Sequence, residues 1–429
     1  MQSEPWVKTA RIRAQPADAS PQSGTVIFEH ERDKQRMKTA HSLSSIAGFA
    51  RFASRKAVLP GLLRPLLLVS LLLTGCNNEF FTPVNNTTTA AGSSTYMYVV
   101  NVSSTGSGGT LSEYSLTSGV AAPLSGSPIT LPATPTSVVV SPNNLFVYVG
   151  TSVGILMYTI GTGGALTQGN NGTVIYSGPN AVQNLAVDAT SSWLIVSYKN
   201  STELDALAIS PLSGLTQTGT PVPATLDALT PVQLAISPAN NNVFVALGSG
   251  GTDAIGFTAS AASPWGAGTY HINLAPHSTA ANAVAVDPSS TYLFIGEATS
   301  NILRKFAISN LSAAQNTYST GQTPSAILSD PTGQYVYATN YTDNTITGFS
   351  LSAGALTTLT DSPFATAKSP IAIAEDSTKS YVVVAGFGNN PDLWVYSYDT
   401  TSSGTLDVAT TFSTATTDPS YAIGLALTH

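Results

Sequence analysis

Pro324-Ser325-Ala326-Ile327-Leu328-Ser329-Asp330-Pro331 is followed closely by Gln334-Tyr335-Val336-Tyr337-Ala338-Thr339-Asn340. The first run is a short apolar strand that ends in an Asp-Pro turn. The second is a strand rich in aromatic and β-branched residues. Tyr341-Thr342-Asp343-Asn344 makes a polar turn, and Thr345 to Leu351 alternates apolar and polar residues as a third strand. Ser352-Ala353-Gly354 turns again, and Ala355-Leu356-Thr357 begins a fourth strand. Strands this short, bounded by Gly, Pro, Asn and Asp, form one four-stranded antiparallel unit.

The same phrase recurs outward in both directions. Its turns fall at Ser141-Pro142, Asp188-Ala189, Ser237-Pro238, Asp287-Pro288, Asp330-Pro331 and Glu375-Asp376, 43 to 50 residues apart. A period near 40–50 residues with four strands per repeat means a propeller blade. The second strands run Tyr96 to Asn101, Leu145 to Gly150, Trp193 to Tyr198, Val243 to Leu247, Tyr292 to Gly296, Tyr335 to Asn340 and Tyr381 to Gly386. That makes seven second strands but six turns, because the first blade has no innermost strand before it. Pro419-Ser420-Tyr421-Ala422-Ile423-Gly424-Leu425-Ala426-Leu427 at the other end reads as that strand. The expected fold is therefore an all-β, seven-bladed β-propeller over residues 95–429, its first blade completed by the C-terminal strand. Closure of this kind leaves no open sheet edge to template aggregation.

Tyr337-Ala338-Thr339-Asn340 with Asp343-Asn344-Thr345-Ile346 resembles the YVTN β-propeller repeat. Asp287-Pro288-Ser289-Ser290-Thr291-Tyr292-Leu293-Phe294-Ile295 is similar to a blade phrase of the seven-bladed lactonase family, whose bacterial prototype is 6-phosphogluconolactonase. The resemblance covers about Thr95 to Leu427. It implies the fold, and by analogy a lactone-hydrolysing ancestry.

The N-terminal part has a different character. Before Cys76 stand 11 Lys and Arg against 5 Asp and Glu; from Cys76 onward the balance is 5 against 18. A mature body that acidic excludes binding to a nucleic-acid backbone, which needs clustered Lys and Arg. Arg51, Arg55, Lys56 and Arg64 precede the apolar run Leu66 to Leu73, and small residues follow it. That order is a secretory signal, too short in its core to span a bilayer. Leu73-Thr74-Gly75-Cys76 resembles the bacterial lipoprotein signal, which implies lipid on Cys76, the chain's one cysteine. Residues 1–76 are thus read as an extension plus lipoprotein signal, with Met37 as the candidate start. Residues 77–94 are read as a flexible tether. Asn77 after the cysteine points to the outer membrane.

The loops entering each innermost strand share one face with the turns between second and third strands, and ligands of propellers gather there. That face is expected to carry Lys199, Glu203, Asp253, Asn340, Asp343, Lys368 and Asp392 as binding residues. His277 and Glu297 are its candidate catalytic groups. Pro276-His277 is similar to a Pro-His phrase of lactonase relatives but stands several residues from its strand. A solvated loop histidine is the other reading of His277, and a turn carboxylate that of Glu297. His271, after Tyr270 on an outer strand, reads as a surface residue.

A lactonase needs a group to activate water and donors for the oxyanion. For an anionic lactone it also needs several cations. After Cys76 the chain has one arginine, Arg304, and four lysines, Lys199, Lys305, Lys368 and Lys379. No two histidines have zinc-ligand spacing, and no nucleophile elbow occurs. Neither metal nor cofactor is expected. The expected partners are the membrane, through Cys76, and an envelope protein or glycan, with the chain itself a monomer. Binding scaffold and lactone hydrolase both remain open on this reading.

Overall fold

The computed structural model describes residues 95–429 apart from 104–105, 216–220, 273–279, 314–315, 389 and 415–420. The expected lipoprotein signal with Cys76, the candidate start at Met37 and the expected tether lie outside the described residues. So does His277.

The stretch around Asp330 folds as read. Pro324–Ser329, Tyr335–Asn340, Thr345–Ser352 and Ala355–Thr358 pair in succession, all antiparallel. The two residues Phe364–Ala365 add a short extra strand on the third. Six further sheets repeat this order, giving seven blades. Numbered along the chain by their second strands, the stretch above is blade six. The first blade is closed by Ala422–Leu427, which pairs antiparallel with Thr95–Val102. Val99 stands opposite Leu425 and Val100 opposite Gly424, with a register shift before Asn101 meets Ala422.

The turn after each innermost strand shows why Asp or Ser recurs there. Asp188 accepts the backbone N–H groups of Ser192 at 2.7 Å and Trp193 at 2.6 Å on one oxygen, and that of Thr190 at 2.8 Å on the other. Asp287, Asp330 and Asp376 repeat the arrangement. In the last blade Asp376, not its neighbour Glu375, does the capping. Ser141 and Ser237 do it with a hydroxyl, accepting from Phe146 and Asn242 at 3.0 Å. Side chains of this kind satisfy amides that a tight turn would otherwise leave unpaired.

Packing follows the two-residue period of the strands. Along the second strand of blade two, Phe146 and Tyr148 pack toward blade three while Val147 and Val149 pack toward blade one. The same alternation yields seven apolar clusters, one at each junction between neighbouring blades. Each fully buried Val, Ile, Leu or Phe contributes about 1.5–3 kcal/mol. Tyr98, Phe146, Trp193, Phe244, Phe294 and Tyr337 all lie in these junctions, and Trp394 is packed against one. They are structural posts rather than a sugar platform. Some tyrosines also reach across to the next blade: Tyr98 donates to the carbonyl of Gly164 at 2.7 Å and Tyr337 to that of Gly404 at 2.6 Å. Gly404 has φ +82°, and a Cβ there would meet the Tyr335 ring at 2.3 Å, so the turn needs glycine.

Candidate functional site

Several residues expected on the ligand-binding face act as clamps within their blades. Glu297 ends the second strand of blade five, and Arg304 lies on the adjacent third strand. Arg304 grips both carboxylate oxygens of Glu297: Nε donates to Oε1, and Nη2 to Oε2 at 3.2 Å. Both side chains are buried. In blade six, Asn340 holds the corresponding position and donates from Nδ2 to the hydroxyls of Thr345 and Thr347, each at 2.9 Å. Asn101 does the same in blade one toward Thr110 and Ser112. In blade three, Tyr198 donates to Asp205 at 2.6 Å. The polar residue at this position thus recurs as a bridge from the end of the second strand to the third.

The remaining expected binding residues are dispersed. Asp343 is exposed and accepts the backbone N–H of Gln322 at 2.7 Å. Asp392 is buried and accepts the backbone N–H of Thr414 at 2.9 Å. Lys199 and Lys368 are exposed. Partial burial, then the neighbouring Asp205 carboxylate, raises the Glu203 carboxyl above its usual range.

Asp253 has a different environment. It lies on the third strand of blade four, Thr252–Phe257, directly opposite His271 on the outermost strand, Trp265–Ile272. Cross-strand partners share a face, so both side chains meet there. Asp253 Oδ1 is 2.7 Å from His271 Nδ1, and Asp253 Oδ2 accepts the backbone N–H of Asp227 at 2.8 Å. Asp227 belongs to the loop that leads from the outermost strand of blade three, Val222–Thr225, into blade four. Its Oδ2 is 3.5 Å from the same His271 nitrogen. Asp253 is fully buried, whereas the His271 and Asp227 side chains are 34 % and 52 % exposed. Burial raises the Asp253 carboxyl above its ordinary range; the Asp227 amide and His271 oppose the rise, and the Asp227 carboxylate adds to it. The sequence points to Asp253 but presents His271 as a surface residue and does not single out Asp227. The one usable signal was the hairpin itself, since its register sets Asp253 against His271.

A separate cavity of about 480 Å³ opens between the C-terminal ends of innermost strands. Val138, Val140, Leu185, Val187 and Leu427 form its apolar wall, and Glu375, Lys379 and His429 its polar edge. Burial, then the Asp330 carboxylate, pushes the Glu375 carboxyl up to about 7. Burial pulls the His429 imidazole down.

The sequence model of the family "Lactonase, 7-bladed beta-propeller" matches residues 261–373. That span includes the YVTN-like blade and confirms the lactonase-type resemblance there. No curated protein sequence matches the chain significantly. Among solved structures, a protein from Lactobacillus plantarum is similar at 17 % identity and a TM-score of 0.63, over 78 % of this chain and 100 % of that one. A periplasmic gluconolactonase from Pseudomonas aeruginosa is similar at 14 % identity and a TM-score of 0.61, over 78 % and 99 %. A Bacteroides fragilis protein described as a candidate 6-phosphogluconolactonase gives 13 % and 0.63, over 79 % and 99 %. At such identities these likenesses establish the seven-bladed fold.

Proposed function

We propose that this chain is an envelope-anchored, lactonase-type propeller that binds a partner protein or glycan on the face where the loops entering the innermost strands meet the turns between second and third strands. One observation carries the reading. Arg304, the only arginine after Cys76, is committed to Glu297 in a buried two-point grip. A phosphorylated or polycarboxylate lactone needs such a fork for its own anionic groups. Neither Arg304 nor Glu297 is thereby offered to a ligand. The lipoprotein-like sequence at Cys76 supports anchoring, with the propeller held outside the membrane as a monomer.

Lactone hydrolysis is the second reading, favoured by the family match and by the Asp253–His271 pair. A buried carboxylate that holds Nδ1 orients the imidazole and leaves Nε2 to take a proton from water. The substrate would then be a neutral lactone.

The purified full-length chain, offered a panel of neutral and anionic sugar lactones and acyl lactones, decides between them. The binding reading expects no turnover above buffer, together with specific capture of an envelope protein or glycan. Turnover of a neutral lactone that disappears in His271→Ala overturns it in favour of the hydrolase.

A further inference from the structure

Asp227, Asp253 and His271 present two carboxylates and one imidazole whose donor atoms all lie within 4.8 Å of one another. Even with His271 protonated, two carboxylates face one positive charge. One of them, Asp253, is fully buried. A negative cluster with one buried member is stabilised by a further cation. We propose that these three side chains bind a divalent first-row transition-metal ion that ties blade three to blade four.

The geometry suits such an ion. With Zn–N and Zn–O bonds of about 2.0–2.1 Å, the ligand atoms of a tetrahedral site stand about 3.3 Å apart. The edge between His271 Nδ1 and Asp227 Oδ2 is 3.5 Å. The edge between His271 Nδ1 and Asp253 Oδ1 is 2.7 Å, a hydrogen bond whose proton the ion replaces as the edge opens. One nitrogen and two carboxylate oxygens suit zinc, manganese or ferrous iron. The second oxygen of Asp253 is held by the Asp227 amide at 2.8 Å, the kind of outer contact that fixes a ligating carboxylate. The exposed faces of His271 and Asp227 give the ion a route in and leave room for water as a further ligand.

The test uses the full-length, tag-free chain stripped with chelator and titrated calorimetrically with Zn²⁺, Mn²⁺, Ca²⁺ and Mg²⁺. One equivalent of Zn²⁺ or Mn²⁺ should bind at least tenfold more tightly than Ca²⁺ or Mg²⁺. His271→Ala and Asp227→Asn should each weaken that binding at least tenfold while leaving the circular dichroism spectrum unchanged. Saturating Zn²⁺ should also raise the melting temperature of the native chain, because the ion binds the folded state alone, and this rise should vanish in His271→Ala. Asp253→Asn is not relied on, since a change at a buried position can itself unfold the blade. No saturable Zn²⁺ or Mn²⁺ binding overturns the proposal. So does binding that His271→Ala leaves unchanged, which would place the ion elsewhere, or a preference for Ca²⁺. None of these readouts depends on lactone turnover.

Discussion

Tyr96 and Thr428, 332 residues apart in sequence, are joined through both backbone amides: Tyr96 N–H donates to Thr428 Oγ1 at 2.9 Å, and Thr428 N–H donates to the Tyr96 carbonyl at 2.9 Å. They fasten the end of the closing strand to the start of the strand beside it. Removal of residues 419–429 should therefore expose the edge of Thr95–Val102 and open the cluster shared by blades seven and one. Each backbone bond contributes only about 1 kcal/mol net. The lost apolar burial of Ala422, Leu425 and Leu427 adds several more, comparable to the stability of a whole domain. Limited proteolysis and a thermal melt should show a protease-sensitive or insoluble protein. A truncated chain that melts like the intact one would refute closure by this strand.

Glu297→Ala should destabilise the chain by about 3–5 kcal/mol, because it leaves the Arg304 guanidinium buried without its partner. Replacing both, as Glu297→Gln with Arg304→Met, should recover most of that loss. Chemical denaturation of the single and double variants measures the difference. A Glu297→Ala chain of native stability would show that the pair is not structural.

Gly404→Ala should cost about 1–2 kcal/mol for the left-handed backbone alone. It should cost more because the new methyl meets the Tyr335 ring and shifts the carbonyl that accepts from Tyr337. Gly126→Ala, also at positive φ but with open space around it, should show only the backbone part. The two melting temperatures give the comparison.

Glu375 makes stability depend on pH. Its folded carboxyl is raised from 4.5 to about 7, so the folded state binds the proton more tightly than the unfolded chain. The resulting stabilisation is fully present below pH 4.5, declines as pH rises and is gone above about 7. Glu375→Gln should remove this component, so the difference in melting temperature between variant and native chain should widen from pH 4.5 to 7. A difference that stays flat across this range would show that Glu375 does not titrate there.

Cys76→Ser should leave the propeller folded and move the protein from the membrane fraction to the soluble envelope fraction. Fractionation of expressing cells reads this directly, and continued membrane retention would rule out lipid at that position.

The sequence by itself determined the blades. A strand's two-residue period and the Asp or Ser that caps each tight turn are local requirements, so they leave a mark every 43 to 50 residues. The count of seven second strands against six turns was enough to place Ala422–Leu427 beside Thr95–Val102. Tertiary structure decided what the polar side chains do. Glu297 and Asn340 were legible as residues of the expected ligand-binding face. Whether they meet a ligand or a neighbouring strand depends on the residue across the ladder, Arg304 in one case and Thr347 in the other. The Asp227–Asp253–His271 cluster draws on two strands of one blade and a loop entering it, at sequence separations that match no metal motif. Only the hairpin register and the approach of blade three bring those three donors within one ion's reach.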